Sequence, residues 1–153
     1  MATPNNLINA GEGVQLAVPP TWKRNAMVVF SNGEEGEKGA SVVVRRESID
    51  PRTTLQQYMD GMLVEFARTM PEFALIDRRS RTLGSVPAGE FLYTLTARGV
   101  EYEQRQVVAI DMKGSVVSIV MSATRKGVRE IQPLWDEILA TATVTPPADP
   151  NRP

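Results

Sequence analysis

The sequence predicts an α+β fold in which an antiparallel β-sheet carries its helices on one side, in the order β-β-β-α-β-β-β-β-α. Short apolar segments bounded by Gly, Pro and Asn recur in two blocks, as strands do. Two other segments repeat apolar residues at spacings of three and four, as amphipathic helices do. Successive strands in the second block are joined by connections too short for crossovers, which makes neighbours antiparallel.

In chain order, Val14, Leu16 and Val18 alternate with Gln15 and Ala17 until Pro19-Pro20 ends the first strand. Met27 to Phe30 and Ser41 to Arg45 are strands of a hairpin, joined by the polar, glycine-rich stretch from Asn32 to Gly39. Asp50-Pro51 stops the third strand. A capping box, either Thr53 with Gln56 or Thr54 with Gln57, then opens a helix. Leu55, Met59, Met62, Leu63, Phe66 and Met70 form its apolar face, and Pro71 ends it. Gly61 in its middle costs about 1 kcal/mol relative to Ala, so a close approach to its backbone is expected.

The second block spans Phe73 to Leu83, Glu90 to Arg98, Tyr102 to Ile110 and Ser115 to Thr124, with turns at Gly84-Ser85-Val86-Pro87, Arg98-Gly99-Val100 and Lys113-Gly114. A last helix is marked by Ile131, Leu134, Trp135, Ile138, Leu139 and Ala142. Pro133 belongs in a first turn, so this helix is expected to start near Gln132.

The 153 residues are the size of one domain, assigned to positions 1–145. Four of the eleven prolines fall in the last eight positions, where a disordered tail is expected over 146–153. Seventeen Lys and Arg against eighteen Asp and Glu leave a formal charge of -1, too little positive field for nucleic acid or an anionic membrane. With no Cys and no His there is no disulfide, thiol nucleophile or imidazole base, and no metal site or cofactor is expected. The first basic residue is Lys23, and the longest clean apolar run, Ala26 to Phe30, is far short of the roughly 20 residues of a membrane span. The expectation is a cytoplasmic protein that does not itself insert into a membrane.

No convincing active site emerges. Gly33-x-x-Gly36-x-x-Gly39 has the spacing of a phosphate cradle, but Glu34, Glu35 and Glu37 inside it would repel a phosphate, so it reads as a solvated hairpin tip. Asp77-Arg78-Arg79-Ser80-Arg81 and Arg45-Arg46 each have an acid beside them and read as solvated strand faces. Glu101 and Glu103, on one side of a strand beside Arg98 and Arg105, read as a surface charge cluster.

One sheet face is unusual. Taking alternate positions places Thr94, Thr96, Gln104, Gln106, Val108, Ser118, Val120, Ser122, Ser41 and Val43 together, a surface of hydroxyls, carboxamides and short aliphatics with no Lys or Glu. Such a surface lets a helix backbone come close and satisfies polar groups on it, as small and polar residues do between helices in a bilayer. The opposite set, Phe91, Tyr93, Leu95, Val107, Ala109, Val117, Ile119, Met121, Val42 and Val44, reads as the layer that packs on helices. Met62, Phe66 and Met70 form a stripe suited to the edge of a groove, where thioethers adapt to different apolar partners.

The ordered motifs Asn9-Ala10-Gly11-Glu12-Gly13-Val14-x-Leu16-x-Val18-Pro19-x-x-Trp22, Met27-Val28-Val29-Phe30 and Ser41-Val42-Val43-Val44-Arg45-Arg46-Glu47 resemble the DcrB-like family, in particular the effector-associated (Eag) chaperones of type VI secretion. Leu55-x-x-Tyr58, Phe73-x-Leu75, Gly84-x-x-Pro87-Ala88, Gln104-Arg105-Gln106 and Trp135-x-x-Ile138-Leu139 extend the similarity over residues 7–145. The resemblance implies a PsbP-like fold and a homodimer. It also implies a concave surface that shelters the N-terminal transmembrane helices of a secreted effector of PAAR or Rhs type. Gln104 or Gln106 matches the family's polar contact to the bound helix, and Val29, Val43, Met62 and Phe66 match its apolar lining. The mid-helix polar residue of relatives is replaced here by Met62 or Gly61. The alternative is an assembly or adaptor module that docks soluble proteins of a secretion or phage-like particle. Neither reading is enzymatic.

Overall fold

A computed structural model describes residues 7–145. β1 (Leu7–Gly11) and β2 (Val14–Ala17) form a separate two-stranded hairpin. β3 (Ala26–Ser31), β4 (Ala40–Ser48), β5 (Ala74–Leu83), β6 (Val86–Ala97), β7 (Val100–Met112) and β8 (Ser115–Thr124) build a six-stranded antiparallel sheet of order β3-β4-β8-β7-β6-β5. α1 (Leu55–Thr69) lies between β4 and β5, and α2 (Val128–Thr141) follows β8. The α+β class and the element order are as expected, with β1 added before the first predicted strand. The expected tail over 146–153 lies outside the described residues.

The helices do not share one side of the sheet. Trp135 and Leu139 of α2 pack with Leu83, Val107, Ala109, Val117, Ile119 and Met121. On the opposite face Met59 of α1 packs with Phe91, Tyr93, Val108 and Val116, and Met62 and Phe66 lie against them. The physical reason is that β7 and β8 are apolar on both faces, so each face requires its own cover. Val107-Val108-Ala109-Ile110 and Val116-Val117 are continuous apolar runs, the mark of a strand buried on both sides, and alternate-position reading passed over them.

The turn between β6 and β7 corrects a second expectation. It is a two-residue turn of Arg98 and Gly99, both in the left-handed region, so Ala97 pairs with Val100 and Thr94 with Glu103. The three-residue turn expected at Arg98-Gly99-Val100 would have shifted the register by one and set Thr94 beside Gln104. With the shorter turn, Thr94 and Thr96 face α2, and Tyr93 and Phe91 stand beside Gln104 and Gln106.

Local signals place α1 well. Of the two possible capping boxes the one formed is Thr54 with Gln57: the Gln57 amide donates to Thr54 Oγ1 at 3.1 Å, and the Thr54 amide donates to Gln57 Oε1 at 3.0 Å. α2 starts at Val128, one turn before the expected Gln132, because Val128 is buried and anchors that turn in the core. Pro133 consequently lies inside the helix, on an exposed side. Gly61 has open space where a side chain would project, so no segment of the described chain makes the expected close approach. That approach occurs at Gly89 instead, where an added Cβ would overlap the Met59 thioether.

Candidate binding surface

α1 and α2 leave the β3–β4 side of the sheet bare. In β3, Met27, Val28, Val29 and Phe30 are 66, 51, 59 and 60% exposed, four successive apolar residues on an edge strand. Alternation sends Val28 and Phe30 to the α2 face and Met27 and Val29 to the α1 face.

On the α1 face the strand register assembles a trough. Phe91, Gln106, Val120, Val43 and Val29 form one row across five strands, and Tyr93, Gln104, Ser122, Ser41 and Ser31 form the next. A third row brings Val108, Ser118, Arg45 and Met27 together. α1 covers the β6–β7 end of these rows. It is oriented by Asp60, which pairs with Arg78 of β5 at 2.8 Å, while Tyr58 on its other flank lies within the fields of Glu47 and Arg45. Burial, then Glu47, pushes the Tyr58 hydroxyl above its ordinary range, with Arg45 opposing. From β8 to β3 the trough is roughly 10 Å wide, close to the diameter of one α-helix with its side chains.

Five of the eleven expected site residues therefore share this surface, Gln104, Val29, Ser41, Val43 and Ser122, while Gln106 and Ser118 lie in the same rows but are buried, 7 and 5% exposed. Met62 is half-buried at its α1 border. Phe66 is partly buried and packs on the core, its ring centroid 5.2 Å from Tyr93 and 5.8 Å from Phe73. Thr94 is buried on the other face, and the Thr96 hydroxyl donates to Glu72 at 2.8 Å.

The two glutamines are held from below. The Tyr93 hydroxyl lies 2.7 Å from Gln104 Oε1 and 2.9 Å from Gln106 Oε1, and Gln104 Nε2 donates to Ser122 Oγ at 3.2 Å. Tyr93 is 1% exposed, and burial pushes its hydroxyl far above the usual phenol range.

The α2 face holds a groove of about 1210 Å³ between Ile138 of α2, the capping Ala142 just beyond it, and the strand residues Val28, Phe30, Val42 and Val44. Val42 and Val44 read in sequence as covered; here α2 reaches β8 and leaves them partly bare. At the groove's end Arg46 donates to both Asp111 oxygens, at 2.9 and 3.1 Å, and to Ser115 Oγ at 2.8 Å. The pair is satisfied and structural.

Two buried carboxylates escaped the sequence reading. Glu103, expected at the surface, is 4% exposed, accepting from Arg125 at 2.5 Å and from Gln132 of α2 at 3.2 Å. Glu90 is bonded by Arg79 and Arg81, so part of the supposed solvated run closes over a buried acid. Arg105 pairs with Asp136 and lies over the Trp135 ring. The Glu103 and Arg105 contacts tie β7 to α2 and the Glu90 contacts tie β6 to β5, and Glu103 lies at the wall of a small pocket with Arg125, Lys126, Val128, Arg129 and Gln132. Among the described residues no cluster of metal-ligating side chains occurs, and no helix is long and apolar enough to cross a membrane.

A six-stranded antiparallel sheet with one helix on each face and an uncovered edge defines an α+β domain of PsbP-like architecture. The DcrB family profile matches residues 12–141, and the chain belongs to the DcrB family. No curated protein sequence matches it. Among solved structures, PA94 of Pseudomonas aeruginosa, described as a protein of unknown function and putative regulator, superposes with a TM-score of 0.76 at 20% identity, over 93% of this chain and 97% of that one. Cyanobacterial PsbP from Synechocystis sp. PCC 6803 superposes with a TM-score of 0.54 at 14% identity, over 78% of this chain and 82% of that one. The type VI secretion immunity protein TplEi of Pseudomonas aeruginosa gives 0.51 at 17% identity, over 73% of this chain and 42% of that one. At these identities the likeness is one of fold.

Proposed function

We propose that this protein is a non-enzymatic chaperone that shelters the N-terminal transmembrane helices of a type VI secretion effector, of PAAR or Rhs type, in the cytoplasm before export. The observation that carries the reading is the bare β8-β4-β3 trough, one helix wide, apolar along Val120, Val43 and Val29 and lined beside them by Ser122, Ser41 and Gln104. An unsheltered helix of about 20 apolar residues would aggregate in water, and covering it offsets exposure at roughly 25 cal/mol per Å². Serines along the floor let its backbone approach, and the carboxamides supply hydrogen bonds where it carries polar groups. The resemblance to Eag chaperones and membership of the DcrB family support the same role. TplEi belongs to type VI secretion and shares the fold, which is compatible with this role.

The protein acts as a homodimer in this reading. β3 is an edge strand without Lys, Arg, Asp, Glu or Pro between Ala26 and Ser31, the devices that usually keep an edge from pairing. Co-expression with the hydrophobic N-terminal segment of an effector encoded beside the chaperone tests the function. The segment is expected in the soluble fraction only when this protein is present. Equal solubility without it refutes the reading, and selective capture of a soluble domain of the same effector would favour an adaptor instead.

A further inference from the structure

The trough's polar side is set by hydrogen counting. The Tyr93 hydroxyl has one hydrogen to donate and lone pairs to accept with, yet two carboxamides lie at 2.7 and 2.9 Å from it. The hydroxyl can give its hydrogen to only one of the two amide oxygens, so the other carboxamide must turn its Nε2–H toward the Tyr93 oxygen. Ser122 Oγ, which can accept or donate, completes the Gln104 side of the network at 3.2 Å. We infer that Tyr93 is the positioning residue of the trough, holding Gln104 and Gln106 in opposite senses. In either sense Gln104 keeps one N–H to spare, while Gln106, 7% exposed, is buried beside it.

The spare Gln104 N–H matches a peptide carbonyl. A helix carbonyl keeps a lone pair after its intrahelical bond, and an interrupted turn leaves carbonyls with no intrahelical partner. The client class is therefore an apolar helix presenting its backbone beside small residues or at a break. This deepens the chaperone reading and rests on it for the client, though the locking of the glutamines does not.

The test has two arms on the full chain. In the free protein, the side-chain amide NMR signals of Gln104 and Gln106 are expected away from those of solvated glutamine, and Tyr93→Phe returns them toward solvated values while the backbone spectrum keeps its dispersion. Signals that are already ordinary, or unmoved by Tyr93→Phe, overturn the inference. For binding, the probe is a Lys-flanked Leu/Ala helix of about 20 residues with a central Gly-Ser, fused to a soluble carrier. Tyr93→Phe weakens binding about five-fold, the scale of one or two hydrogen bonds, and has no further effect once Gln104→Leu and Gln106→Leu are in place. A full additional loss in that background means Tyr93 acts through packing and overturns the positioning role. If the wild-type protein ignores the probe while its glutamine signals respond to Tyr93→Phe, the chaperone reading loses its support and the positioning role stands.

Discussion

Val29 and Val43 are cross-strand partners in the trough, and Val29 is 59% exposed, so a charge there meets a client before it meets the core. Val29→Asp is expected to change stability by no more than about 0.5 kcal/mol. It should nevertheless abolish capture of an apolar helix, because docking would bury an unpaired carboxylate. Thermal melting and pull-down on the same preparation check both halves. Tyr93 makes a second prediction. Its hydroxyl is raised by burial, so the unfolded chain ionises first; its contribution is complete below about pH 10 and lost as pH rises beyond that value. The melting temperature of wild type should fall more steeply than that of Tyr93→Phe above pH 10. At this scale the sequence shows which side chains are apolar, but not that Glu103 and Glu90 are buried. Their partners Arg125 and Gln132, and Arg79 and Arg81, are brought in by register and by α2, up to 29 positions away.

The elements were legible where their signals are local. Thr54 and Gln57 close the α1 capping box inside four residues, and Thr54→Ala should cost about 1 kcal/mol in urea unfolding. α1 is seated by Gly89, where a Cβ would meet the flexible end of Met59. Gly89→Ala should cost about 1–3 kcal/mol, and a compensating Met59→Leu should recover part of it. α2 began earlier than its Pro133 implied, since burial of Val128 outweighs the preference of proline for a first turn. The side of the sheet taken by each helix was not legible. Periodicity identifies an apolar face without naming the surface it will meet, and the double-sided strands β7 and β8 offered two.

At the scale of the whole molecule, the sheet is six strands wide, and a helix on each face leaves the β3 end without cover. The dimer reading predicts a sedimentation mass of twice the monomer, reverting to one chain in a Val28→Lys/Phe30→Lys variant with little change in melting temperature. A monomeric wild-type protein would remove that part of the proposal. The amino-acid order alone determined the α+β class, nearly every strand, both helices and the serine, valine and glutamine positions of the trough, because alternation, capping and turn chemistry act within a few residues. Only the tertiary structure decided that Thr94 and Thr96 leave the trough, that Tyr93 enters beneath it, and that the helices separate to opposite faces. Each depends on a one-residue choice of turn or on contacts between distant strands, and a period-two pattern inverts its faces when the register moves by one.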